Sequence, residues 1–393
     1  MEERDLSLIV GLRNNLDYTK AFYASVRQLY PEVEIVFVSY GSSDNTHEWL
    51  DGLLDPFVKY FYSEKSKTLS DTYNTGVLLA SGKLVAFLHN DMIMGKGFVE
   101  QLIDAWKPGQ LLFYTVVEPP IFAEDKHDWK VVIDFGTDLE TFRTEEFCQY
   151  NKGRQAEANL KPFITEDASF FLCVEREWLL EMGGMDPLYN PMFCEDSDLL
   201  IRFKLQNATM FQVPKAIVYH FVSKTSRFSR EYQDRTKRIE ENAIRNFYRK
   251  WRFAPSSSLH KRYDIAAIVY HADLSNLRKI EPYFAKIYID ADGNGYIADE
   301  QQNTAFDLTS RFAHIDQIES HDVLVSFDMN KLDEKDFKNL LWLPEILHRH
   351  FYQSTSLIEK LFFNRKRFKK GNLHFQIENL KASEEELIVR NLN

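Results

Sequence analysis

The residues best suited to chemistry in this sequence begin with His89, Asn90 and Asp91. They follow five successive apolar residues, Leu84 to Leu88, which read as a strand buried on both faces. Ligands in open α/β sheets sit at the carboxyl ends of strands, where this trio falls. An imidazole and a carboxylate at a strand tip suit a divalent cation, and a cation suits a diphosphate. A strand that ends in a polar turn accounts for the same residues without any chemistry. Further on, Glu195, Asp196 and Asp198 open the helical run LLIRFKL, and a last strand, Phe211 to Phe221, brings His220. Acidic residues in a first helical turn also favour the helix dipole with no other role.

The elements that must position these residues are legible in the first half. Leu6 to Gly11 reads as a short buried strand. Tyr18, Phe22, Val26 and Leu29 share a helical face that Pro31 ends. Val33 to Tyr40 is a second strand, and Asp44 in the following turn is placed to cap the helix carrying Trp49. Lys59 to Tyr62 reads as a third strand, and Leu69, Tyr73 and Val77 mark another helix before the strand of Leu84 to Leu88. Phe98, Leu102 and Trp106 form one more helical face, and Leu111 to Glu118 one more strand. Such alternation means a mainly parallel sheet with right-handed crossovers. Residues 123 to 165 read as polar and irregular, and no fixed-period repeat is visible. Gly11 is followed by Leu12, Arg13 and Asn14, so there is no GxGxxG fingerprint, nor is there a GxxxxGK loop. A nucleotide would have to be held by strand-end loops and a metal.

Taken together, these pieces resemble the family 2 glycosyltransferases of the GT-A fold over roughly residues 5 to 255. NNLDYT followed by VEIVFVSYGSSDNT resembles the opening strand, helix and nucleotide-binding turn. YNTGVLLASGKLVAFLHNDM resembles the segment leading to the metal-binding D-x-D, written here as HND. GGMDP with CEDSDLLIRFK resembles the acceptor-side turn and the ED motif, VYHF the strand supplying a late histidine, and FYRKW a closing helix. The resemblance implies a GT-A type sheet flanked by helices and an inverting transfer from a nucleotide-sugar, assisted by Mn2+ or Mg2+. It implies Asp91 and His220 as metal ligands, Asp196 as base, and Glu195 as its partner or a contact to acceptor hydroxyls. Gly11, Arg13, Ser39, Asp44, Asn74, His89 and Asn90 are the implied donor contacts. His89 departs from the usual first aspartate, and Ser39, Tyr40 and Tyr73 replace residues that help the family read the base. A sugar nucleotidyltransferase on a similar sheet, and an inactive carbohydrate-binding scaffold, are the rival readings.

At 393 residues, 44% of them apolar, the chain is expected to form two domains, 1–255 and 256–393. A net charge of −11 argues against general nucleic-acid binding. Three cysteines without metal spacing, an opening MEERD and no membrane-length apolar run point to a soluble, cytoplasmic protein. Lys224 to Arg262 interleaves basic residues with Glu and aromatics and reads as a solvated helix face, with Pro255 to Ser258 as linker. The second domain reads as a smaller α/β unit that docks an acceptor or a partner, with homo-oligomer formation left open. Asp290 to Gln301 resembles a calcium loop, but Gln301 replaces the bidentate carboxylate and a strand precedes it, so a plain turn is the simpler reading. Leu357 to Lys370 mixes phenylalanines with basic residues and suits either a packed helix or peripheral contact with a membrane that carries a lipid-linked acceptor.

Overall fold

The computed structural model describes residues 1–222, 234–352 and 366–390. Contacts divide the chain into two compact units, Met1–Ile239 with Val389–Asn393, and Glu240–Ile388.

In the first unit the order is β1 (Leu6–Leu12), α1 (Leu16–Leu29), β2 (Glu34–Tyr40), α2 (Thr46–Asp51), β3 (Val58–Ser63), α3 (Leu69–Leu79), β4 (Leu84–His89) and β5 (Met92–Met94). There follow α4 (Phe98–Ala105), β6 (Gln110–Glu118), β7 (Lys130–Val132), α5 (Thr144–Ala156), β8 (Phe163–Ile164), β9 (Leu172–Glu175), α6 (Arg176–Glu181), α7 (Glu195–Leu205) and β10 (Thr209–His220). The sheet order is β3-β2-β1-β4-β9-β6-β10-β5, with β7 beside β6 and β8 beside β10. The predicted α/β class is the observed one: a mostly parallel sheet flanked by helices, with a second, smaller sheet.

Leu84 to Leu88 are fully buried, because β1 and β9 flank β4 within the sheet and helices cover its faces. α1 turns Phe22 and Val26 into the core and stops at Tyr30, just before Pro31. The stretch expected to be irregular, 123–165, contains the thirteen-residue helix α5. Its only buried residues are Phe147 and Asn151, so its sequence has no apolar stripe to betray a helix.

The second unit takes in most of α8 (Thr236–Trp251) and continues with β11 (Ile265–Tyr270), α9 (Leu274–Ile280), β12 (Lys286–Ile289), α10 (Asn294–Glu300), β13 (Phe312–His314) and β14 (Val323–Asp328). It ends with α11 (Glu334–Leu340), α12 (Leu343–Tyr352), β15 (Arg367–Lys370) and β16 (Leu373–Ile377). Its sheet order is β13-β12-β11-β14-β16-β15. Here three parallel pairings lead from β13 to β14 and an antiparallel strand, β16, follows. The first unit opens in the same way, with β3-β2-β1-β4 parallel and β9 antiparallel. The chain therefore repeats a topology without repeating a sequence.

The basic run expected to be solvated is partly buried instead. On α8, Arg249 is 1% exposed and donates to Glu281 at 2.7 Å and to Glu300 at 2.6 Å. Arg311 and Arg245 add ion pairs to Glu281 at 2.8 and 3.4 Å. Burial works against the charge of Glu281, but the three guanidinium groups outweigh it and hold the carboxyl below its ordinary range. Glu281→Ala strands the arginines without their counter-charge and is expected to cost the second unit about 3–5 kcal/mol. Because the pKa falls on folding, that stabilisation is present above the ordinary glutamate range and is lost as pH falls through the depressed value. Hydrogen exchange of α9 and β14, compared between wild type and variant, checks both the size and the location of the loss.

The calcium-like stretch Asp290 to Gln301 forms a short turn after β12 and then the helix α10, which takes in Asn294 and Gly295 of the expected Gly-Asn-Gly turn. Gln301 spends its amide on Phe306 O and Leu308 N, at 2.7 and 2.9 Å. Of the membrane-contact candidate, residues 357–365 lie outside the described residues, and Arg367–Lys370 form an edge strand. No described helix is long and apolar enough to cross a membrane.

Candidate active site

β4 ends at His89, and the chain then turns through Asn90 and Asp91 straight into β5. β5 lies against β10 at the far edge of the sheet, with His220 opposite Met92. That pairing, with Phe221 N donating to Asp91 O at 3.0 Å, is what brings residues 131 positions apart together. Asn90 is buried and anchors the turn by donating to Thr19 Oγ1 at 3.0 Å. The ligand atoms of His89, Asp91 and His220 all lie within 4.8 Å of one another. His220 Nε2 is 3.3 Å from Asp91 Oδ1 and 3.4 Å from His89 Nδ1, and its Nδ1 is 2.8 Å from Glu118 Oε1.

Burial, aided by the neighbouring His220, pushes His89 down to about 4, so it is a neutral imidazole with a lone pair to offer. Burial works the same way on His220, but Asp91 and Glu118 outweigh it and raise it to about 9. Once a divalent cation displaces the Nε2 proton of His220, two imidazole nitrogens and a carboxylate oxygen in this arrangement fit it.

The second acidic group enters from α7. Phe193 and Cys194, just before it, have φ of 78° and 67°, the left-handed region that non-glycine residues rarely adopt. Glu195 is 5% exposed, and its Oε2 has no hydrogen-bond partner among the described residues. Burial and the adjacent Asp196 push its pKa well up. Asp196 is only partly covered; burial raises it too, while Ser197 N donates to its Oδ1 at 2.7 Å. Asp198 differs: fully buried, it pairs with Arg202 at 2.9 Å, and Arg202 donates to Met182 O and Gly184 O at 2.9 and 2.5 Å. That network secures the Gly183-Gly184 turn. Gly184 has φ of 65°, and a Cβ there would collide with Asn74.

One cavity of about 250 Å³ is lined by His89, Asn90, Asp91 and His220, by Glu195 and Asp196, and by Gly11 and Arg13. Residues 7–174 match the family model described as Glycosyl transferase family 2. Within the first unit, this segment is similar to the family 2 glycosyltransferases.

The match runs from β1 into β9 and stops before Glu195, Asp196 and His220, which join the same cavity through the fold. The chain is similar to a crystal structure of GalNAc-T7 with UDP, GalNAc and Mn2+ at 15% identity, covering 63% of this chain and 48% of that one with a TM-score of 0.46. It is similar to the mannosyltransferase PcManGT from Pyrobaculum calidifontis in complex with GDP-Man and Mn2+ at 16% identity, over 62% and 63% of the two chains with a TM-score of 0.40. It is also similar to S. aureus TarS 1-349 at 14% identity, over 63% of each chain with a TM-score of 0.42. The chain thus spans less than two-thirds of each of these three. No curated protein matches it.

Three residues expected at the donor do not line this cavity. Ser39 is fully buried beside Ser42 and His47, at 2.8 and 3.0 Å. Asp44 accepts from Thr46 N and Leu16 N, holding the loops after β2 and β1. Asn74 trades two hydrogen bonds of 2.8 Å with the backbone of Met185. Sequence reasoning passed over Lys67, Phe170 and Phe193 in the lining, and Glu118 behind it. Glu118 carried the same signal as His89, a polar residue ending a buried apolar run. Lys67 sits in the polar stretch SEKSKT, which has no pattern to single it out.

Proposed function

We propose that this domain transfers a sugar, with inversion at the anomeric carbon, from a nucleotide-sugar to a hydroxyl of a glycan or lipid-linked saccharide. The observation that supports it is the shared cavity, where His89, Asp91 and His220 stand with Glu195 and Asp196 in a unit similar to the family 2 glycosyltransferases. His89, Asp91 and His220 would hold a divalent cation, Mn2+ or Mg2+, which when bound would supply Lewis-acid stabilisation to the departing diphosphate. Arg13 and Lys67 add positive charge along the cleft for the rest of the nucleotide. Asp196 takes the proton of the acceptor hydroxyl as that oxygen attacks. Glu195 offers its unpartnered buried oxygen to a sugar hydroxyl, which would satisfy a group otherwise costly to bury. Residues 256–393 serve acceptor docking or partner binding.

Asp196 works only when deprotonated, and burial raises its pKa. The acid limb of kcat is therefore expected above the ordinary aspartate range, with activity falling as pH drops through the raised value. A kcat that stays flat down to about pH 4 would assign the proton transfer elsewhere.

A panel of nucleotide-sugars incubated with the full chain and Mn2+ tests the function. Metal-dependent release of a nucleoside diphosphate is the expected result. Release of pyrophosphate would mean nucleotidyl transfer, and no turnover in any member, with or without saccharide acceptors, would favour an inactive scaffold.

A further inference from the structure

Glu118 lies outside the cavity lining and is 5% exposed at the carboxyl end of β6. Its Oε1 is 2.8 Å from His220 Nδ1, the nitrogen turned away from Asp91. Its other oxygen is 3.4 Å from Lys130 Nζ, on β7, and Lys130 is itself buried and donates to Phe122 O at 2.7 Å. Glu118 is thus the middle link of a buried chain that runs from an ammonium through a carboxylate to an imidazole. Nothing in the transfer of a proton or a sugar calls for that chain, and burying two charges without a task is costly.

We propose that Glu118 is the positioning residue of the cation site, with Lys130 as its counter-charge. It rests on the reading of His89, Asp91 and His220 as cation ligands. By accepting a hydrogen bond from Nδ1–H, Glu118 fixes the His220 tautomer in which Nε2 carries the lone pair. It also fixes the ring plane, so that Nε2 faces the ligand atoms of Asp91 and His89. The carboxylate makes that nitrogen a better donor to a cation. Lys130 gives the buried carboxylate its counter-charge on the side away from His220. Because Lys130 starts β7, it also ties the connection after β6 to the cation site.

Mn2+ binding to the full chain tests this without turnover, by electron paramagnetic resonance of the free ion. Glu118→Leu is expected to weaken Mn2+ binding by about 10- to 100-fold. Glu118→Gln, whose side-chain oxygen still accepts from Nδ1–H, is expected to recover most of that loss. Lys130→Met should fall between the two. The visible absorption of the Co2+-loaded protein should change in Glu118→Leu and stay close to wild type in Glu118→Gln, which a merely structural carboxylate would not produce. Should Glu118→Leu fail to fold, the Gln and Met variants carry the test through the same affinities and spectra. Wild-type affinity and an unaltered Co2+ spectrum in all folded variants would overturn the positioning role and leave the cation site standing. Wild-type protein that binds no Mn2+ would overturn both.

Discussion

Replacing Asp91 by asparagine or alanine is expected to lower kcat/KM for sugar transfer by at least about a thousandfold, the loss of several kcal/mol of charge stabilisation on the leaving group. Among the described residues Asp91 is the one carboxylate in the cluster with His89 and His220, and it is 1% exposed. The same variants should lose most Mn2+ affinity, because two neutral imidazoles hold a hard cation poorly without an anionic oxygen. Binding of a nucleoside diphosphate measured without metal should change little. Asparagine keeps the shape of the turn between β4 and β5, so it separates the loss of a ligand from a loss of folding. Full turnover by a folded Asp91→Asn protein would remove the metal from the mechanism.

The second large effect is expected at Asp196, which lines the same cavity. Asp196→Asn should lower kcat by about 10²- to 10⁴-fold, the usual worth of a positioned general base. Unlike Asp91→Asn, it should leave Mn2+ affinity unchanged, since Asp196 is not among the ligand atoms of the cluster. Donor KM should also change little, because the proton is removed from the acceptor. Steady-state kinetics with calorimetric Mn2+ binding distinguish the two variants. Asp196→Asn with wild-type kcat, or with a metal defect equal to that of Asp91→Asn, would place the base elsewhere. Asp198, two residues further on, is a useful contrast. Its carboxylate is committed to Arg202 in the interior, so Asp198→Asn should show itself first in stability.

Much of this was legible in the sequence where one physical signal decided the outcome. Leu84 to Leu88 could only be a doubly covered strand, and His89 to Asp91 fell at its tip. The reading of the acidic turn without chemistry suits Asp198, whose charge is held by Arg202 one turn later in the interior. Pattern failed where function and packing shared a residue type. Asn74 and Asp44 look like ligand contacts but satisfy backbone groups, and the sequence holds no mark of which polar side chain faces a loop and which a cleft. α5 lacked a stripe, and Arg249 looked solvated because its carboxylate partners lie 32 and 51 residues away. The repeated strand order of the two units was also invisible, since what recurs is pairing and direction rather than side chains.

The most direct test of the central claim is anomalous diffraction from crystals of the full chain grown with Mn2+ and a nucleoside diphosphate. The expected map has one strong peak within coordinating distance of His89, Asp91 and His220, with the diphosphate on the peak and Asp196 across the same cavity. A manganese peak bound elsewhere, with those three side chains uncoordinated, would contradict the account.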